Sequence, residues 1–182
     1  MQHKSLAGPA LGFCRRLPRD TITALQSKAM KIALGADHAG FELKEKVKKY
    51  LLKQGVAVDD LGTNSSESVD YPDYALKVAH EVAAQKADYG VLVCGSGIGM
   101  AITANKVVGI RATTATTEQE AQLSREHNDA NVLAIGARLV KDDQAVKLVD
   151  TFIKSSFAHG RHESRVAKIE MIEREEARAA GK

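Results

Sequence analysis

From Met30 onward the chain alternates short apolar, β-branched runs with longer stretches of helical periodicity, and this alternation constrains the fold more than any other feature. Lys31–Gly35 reads as a strand that ends at a glycine. Residues 41–54 then place Leu43, Val47, Tyr50 and Leu51 at helical spacing, with Gly55 as the stop. Val56–Val58 is a second strand. A loop over 62–68, rich in Ser, Thr and Asn, leads to a second helix over 71–86 with Pro72 in its first turn. Val91–Cys94 has the unbroken apolar character of a strand buried on both faces. Gly95-Ser96-Gly97-Ile98-Gly99 opens a third helix that runs through Ala104. A strand over 110–113, a helix over 118–127, a strand over 132–136 and helices over 142–154 and 162–178 complete the series. Five strands separated by single helices require βαβ crossovers. The expected fold is therefore α/β: a three-layer α/β/α sandwich around a five-stranded parallel sheet, Rossmann-like in class. Such sheets bind ligands beyond the carboxyl ends of their strands, which directs attention to the loops after Leu34, Val93, Thr113 and Ile135.

Composition narrows the function classes. The 182 residues suffice for one compact domain with a real core. A net charge of +3, aromatics at 4% and no Trp argue against a nucleic-acid partner. No apolar run approaches the roughly 20 residues of a membrane span. Cys14 and Cys94 lie far apart, which is no disulfide framework and points to a reducing, cytoplasmic setting. The charge is uneven: residues 1–29 carry five bases and one acid, whereas the rest is nearly neutral. That basic segment lacks the apolar stretch of a secretory signal. It reads as an N-terminal extension or upstream start ahead of a domain over 30–182, or as an organelle-targeting segment.

Several residues can carry chemistry. Asp37 and His38 follow the first strand, where an acid beside an imidazole can orient hydroxyl groups; a helix cap beside an exposed His is the plainer account. Cys94 ends the third strand ahead of Gly95, Gly97 and Gly99. This loop can aim backbone N–H groups at an anion, and the helix start favours a thiolate suited to proton abstraction or nucleophilic attack. A buried structural Cys is the alternative. The glycine spacing fails the dinucleotide fingerprint, because Met100 stands at its sixth position, and the P-loop pattern is absent. His127 and Asn128 end the fourth helix, where an imidazole can pass protons to a sugar oxygen or interact with the helix dipole. Arg161 and Arg165, at i and i+4, together with Arg138, suit a phosphate or a solvated helix face. His159 and His162 have no third ligand nearby in sequence, so no metal site is expected.

Taken together, the motifs resemble ribose-5-phosphate isomerase of type B, a family that includes the lactose-pathway galactose-6-phosphate isomerases. They are Gly35-Ala36-Asp37-His38-Ala39-Gly40, Ser68 to Tyr74 (SVDYPDY), Cys94 to Gly99, Ala104-Asn105-Lys106, Ser124 to Asn131 (SREHNDAN), and Gly160-Arg161-His162 with Arg165. Each is expected at a ligand-binding strand end. The resemblance implies aldose–ketose isomerisation with Cys94 as the base moving a proton between C1 and C2. It implies His127 as the acid that opens the sugar ring, helped by Asp37. Gly95, Ser96, Gly97, Ile98 and Gly99 would hold the enediolate oxygens, and Asp37, His38, Tyr71 and Asn128 the sugar. Arg138, Arg161 and Arg165 would hold the phosphate. It further implies no metal or organic cofactor, and a homodimer or dimer of dimers with the site between subunits. A hexose-6-phosphate isomerase of the same family, or a non-catalytic phosphosugar- or nucleotide-binding module, are the competing readings.

Overall fold

The computed structural model describes residues 29–181, so the basic segment and Cys14 lie, apart from residue 29, outside the described residues. The elements in chain order are β1 (Lys31–Ala36), α1 (Phe41–Lys53), β2 (Ala57–Asp60), α2 (Tyr71–Ala83), β3 (Tyr89–Cys94), α3 (Ile98–Ala104), β4 (Ala112–Thr114), α4 (Glu118–Asn128), β5 (Val132–Gly136), α5 (Asp142–Lys154) and α6 (Glu163–Ala180). A 3₁₀ turn over Gly160–His162 leads into α6. The five strands form one parallel sheet in the order β2-β1-β3-β5-β4. The α/β/α sandwich expected from the alternation is therefore the fold.

Alternation of side chains along each strand feeds two cores. Val91 and Val93 of β3 and Leu133 and Ile135 of β5 face Leu43, Val47 and Leu51 of α1 and Leu148 and Phe152 of α5. Leu92, Cys94, Val132 and Ala134 face the other way, onto Ala75, Val78 and Val82 of α2 and Met100 and Ala104 of α3. Cys94 is thus the last inward residue of its strand. The chain passes from β1 to one side to form β2, then crosses to the other side for β3. This reversal opens a crevice at the carboxyl ends of β1 and β3.

The strands are longer than the apolar runs suggest at two places. β2 continues through Asp59 and Asp60, whose carboxylates are paired with Lys31 and with Lys44 and Lys48. β3 begins at Tyr89, where the phenol accepts a hydrogen bond from buried Arg125. In both cases long-range pairing allows polar side chains to stay in a strand.

Candidate active site

Segments that follow β1, β2, β3 and β5 meet at the crevice. Asp37 follows β1 and is buried; its Oδ1 accepts the Gly40 N–H at 3.0 Å, which tightens the turn into α1. Beside it, His38 Nδ1 lies 3.2 Å from both the N and the carbonyl O of Val69, tying β1 to the loop that leads into α2. At the end of β3 the Cys94 Sγ accepts the Gly97 N–H at 3.1 Å. Gly97 reaches that position in a left-handed conformation, φ +77°, which a side chain would resist. Tyr71, the first residue of α2, lays its ring over the backbone of Gly99; a Cβ there would stand 2.7 Å from it. After β5 the chain is pinned to the same loop, with Ala137 N–H donating to the Cys94 carbonyl at 2.8 Å and Arg138 N–H to that of Gly95 at 3.1 Å. The Arg138 guanidinium lies over Gly95. Asp37, His38, Tyr71, Cys94, Gly95, Gly99 and Arg138, with Ser96, Ala39 and Leu139, line a cavity of about 300 Å³. Gly97 and Ile98 shape the loop without lining the cavity: Gly97 packs on the backbone of Ala134 and Ile135, and Ile98 points outward. The loop after Thr113 does not reach the cavity, because β4 is the edge strand furthest from β1.

His127, Asn128, Arg161 and Arg165 are elsewhere, contrary to the expectation that every motif sits at a carboxyl strand end. α4 runs back along the sheet from the carboxyl end of β4 to the amino end of β5, so its last turn lies at the opposite end from Cys94. Asn131 N–H donates to the Arg111 carbonyl there, just ahead of both strands. The sheet separates the two groups by the six-residue length of β3, roughly 17–20 Å. At this second location the His127 ring stacks on His162, with centroids 4.2 Å apart and planes within 7°. His162 Nε2 accepts from Arg161 Nε at 3.4 Å. Burial lowers the His162 pKa below the ordinary imidazole value, and the neighbouring charges of His127, Arg161 and Arg165 push the same way. Asn128 opens onto a broad groove of about 840 Å³ between the β4 edge and α6, lined also by Val108, Ile169 and Ile172. The three arginines therefore divide: Arg138 with Cys94, Arg161 and Arg165 with His127.

Comparison with known proteins decides the family. The description "Ribose/Galactose Isomerase" matches residues 32–169. The chain belongs to the ribose/galactose isomerase family. Among curated relatives, the ribose-5-phosphate isomerase B of Escherichia coli is 49% identical over 143 residues, covering 79% of this chain and 96% of the relative. A Listeria innocua protein named ribose-5-P isomerase B is 42% identical over 79% of this chain and 97% of its own length. Among solved structures, ribose-5-phosphate isomerase B of Clostridium thermocellum superposes with a TM-score of 0.79 at 51% identity, covering 80% of this chain and 99% of that one. That of Mycoplasma genitalium, solved with bound ribulose-5-phosphate, gives 0.77 at 40% identity over 80% and 97%.

Within this family member, the Cys94 cavity combines a thiol, an acid, an imidazole, a phenol and a guanidinium, a set able to move a proton beside an anionic ligand. Among the described residues no group of three or more His, Cys, Asp or Glu is placed to hold a metal ion, and no helix is long and apolar enough to cross a membrane. His162 went unassigned in the sequence beyond its spacing from His159. Its partner is 35 positions away, and only the contact between α4 and the turn before α6 brings the two rings together.

Proposed function

We propose that this chain interconverts ribose 5-phosphate and ribulose 5-phosphate through an enediolate, as a step of the pentose phosphate pathway, at a site assembled between two copies. The observation that carries the reading is the division of one family's site residues between opposite ends of one sheet. In the assembly we infer, the Cys94 cavity of one copy faces the His127 turn of another.

In this reading His127 of the second copy, with Asp37, moves the protons that open the furanose ring. The Cys94 thiolate then takes the proton from C2, and the C–H electron pair forms the C1–C2 double bond as O1 becomes an oxyanion. N–H groups of the Gly95–Gly99 loop stabilise that charge. The C2 hydroxyl proton passes to O1, and the thiol returns its proton to C1 as the C2 carbonyl forms, so no external oxidant or reductant is needed. His38 and Tyr71, with Asn128 of the second copy, hold the sugar, and Arg138 meets Arg161 and Arg165 of the second copy around the phosphate. Binding energy from that remote dianion is available to orient the reacting carbons.

The apolar surface supports the assembly. Ile98 and Ile102 on α3 and Leu139 beside the cavity are more than half exposed, as are Val108 and Ile172 at the groove beside Asn128. Docking the first set on the second brings a Cys94 cavity to a His127 turn. Such a dimer, or a dimer of dimers, is the assembly we infer, in the cytoplasm. We also infer that residues 30–182 form the isomerase domain, preceded by an extension over 1–29.

The relatives named for ribose 5-phosphate, one solved with ribulose-5-phosphate bound, favour the pentose over a hexose. Turnover of ribose 5-phosphate measured against allose 6-phosphate and galactose 6-phosphate tests this. Ribose 5-phosphate is expected to give the highest kcat/KM; a preference for either hexose overturns the substrate, and no turnover of any of the three overturns the enzyme.

A further inference from the structure

The turn that carries His127 and Asn128 is held by a charged clamp. Asp129, the next residue, caps α4 in a left-handed conformation, φ 46° and ψ 44°. Each of its carboxylate oxygens is taken by a different arginine. Arg125 Nη1 donates to Oδ1 at 2.7 Å, and Arg111 Nη2 donates to Oδ2 at 2.8 Å. Arg111 Nε also donates to the carbonyls of Asn128, at 3.1 Å, and Asp129, at 2.9 Å. The two peptide carbonyls that flank the Asp129 Cα are therefore held by a side chain from outside α4.

The two arginines are themselves immobilised. Arg125 is buried, its guanidinium 4.6 Å from the Tyr89 ring centroid, and its Nη1 also donates to the Ala130 carbonyl at 2.6 Å. Arg111 precedes β4 and reaches Glu170 of α6 at 3.4 Å. Charge-assisted bonds of this kind are stronger than neutral ones, and the pair of them acts on one carboxylate from two directions. A solvated turn needs no such arrangement: Asp tolerates the left-handed region without it.

We propose that the Arg111–Asp129–Arg125 clamp is a positioning device that sets the His127 ring and the Asn128 amide at the height required by the second copy's Cys94 cavity. The clamp residues touch no substrate; they act through the turn. This rests on the reading of His127 as the group that opens the sugar ring. Misplacing a catalytic group by about 1 Å can cost on the order of a hundredfold.

The test is a double-mutant cycle in the full-length chain, with kcat and KM for ribose 5-phosphate as readout and dimer content checked by size exclusion. Asp129→Ala is expected to lower kcat by roughly 10- to 100-fold with KM within about threefold, since positioning fails while phosphate binding persists. Combined with His127→Asn, it should cost no more than His127→Asn alone. Asp129→Gly keeps the left-handed backbone without the carboxylate, folds where the Ala variant fails, and should show the same loss. Asp129→Asn retains an acceptor and should recover part of it. Near wild-type kcat in Asp129→Gly, or losses that multiply with those of His127→Asn, would overturn the clamp. If His127→Asn itself keeps full turnover, the assignment of His127 fails instead, and the proposal with it.

Discussion

Cys94 is a small buried residue whose sulfur faces the cavity on one side and the α2–α3 core on the other. Removing the sulfur therefore costs little packing but removes the proposed proton acceptor. Cys94→Ala should fold as the wild type does, with the same elution on size exclusion, while ribose 5-phosphate turnover falls by about 10²–10⁴, the usual worth of a positioned base. Iodoacetamide should inactivate the wild type, and ribose 5-phosphate should protect it. Near wild-type turnover in Cys94→Ala would leave the base unassigned. The same scale explains the His127–His162 pair. Burial lowers the His162 pKa, with the charges of His127, Arg161 and Arg165 pushing the same way, and this favours the neutral form of the ring on which His127 stacks.

Among the elements, β2 shows how an edge strand tolerates acids. Lys44 of α1 is fully buried, and its Nζ donates to both oxygens of Asp60 at 2.9 and 2.7 Å. Burial alone would push the Asp60 carboxyl up, but hydrogen bonds from Lys44, Lys48 and the Gly62 N–H bring it below the ordinary carboxylate value. A depressed folded pKa stabilises the fold above the unfolded value of about 3.9, and that contribution is lost as pH falls through the folded value. Asp60→Asn leaves buried Lys44 with only half-exposed Glu45, 2.7 Å away, as its counter-charge and should cost about 1–3 kcal/mol near neutral pH. Urea unfolding midpoints should show the gap from wild type narrowing once pH drops below about 4. A gap of constant size down to about pH 3 would contradict the pairing. These acids also mark the limit of what was legible. The apolar periods located every helix and strand, and β5 and α5 matched to the residue, but a pattern that seeks apolar alternation stops at Val58. Asp37, His38 and Cys94 stood out because strand ends in a parallel sheet are few. The position of His127 followed from the same topology, since a crossover helix that ends before a strand must end at its amino side. Reading the motif as a strand-end loop overrode that geometry. Contacts such as His127 with His162, or Asp129 with Arg111, depend on packing between elements and leave no local pattern.

At the scale of the whole molecule, the length of the sheet turns site assembly into a test of subunit composition. Cys94 and His127 of one copy sit at opposite ends of strands roughly 17–20 Å long, so no single site in the proposed dimer uses both from the same chain. Each dimer then has two sites, and each site draws Cys94 from one copy and His127 from the other. A Cys94→Ala dimer lacks the base in both sites, and a His127→Asn dimer lacks the acid in both. In a mixed dimer the two lesions fall together in one site and leave the other intact. After subunits are exchanged by dilute denaturant and refolding, half of the dimers should be mixed, and activity should return to about a quarter of wild type from two nearly inactive parents. The recovered activity should show the wild-type KM, because the restored site contains no altered residue. A mixture as inactive as its parents, with exchange verified by mass-tagged subunits, would mean that Cys94 and His127 do not meet across two copies.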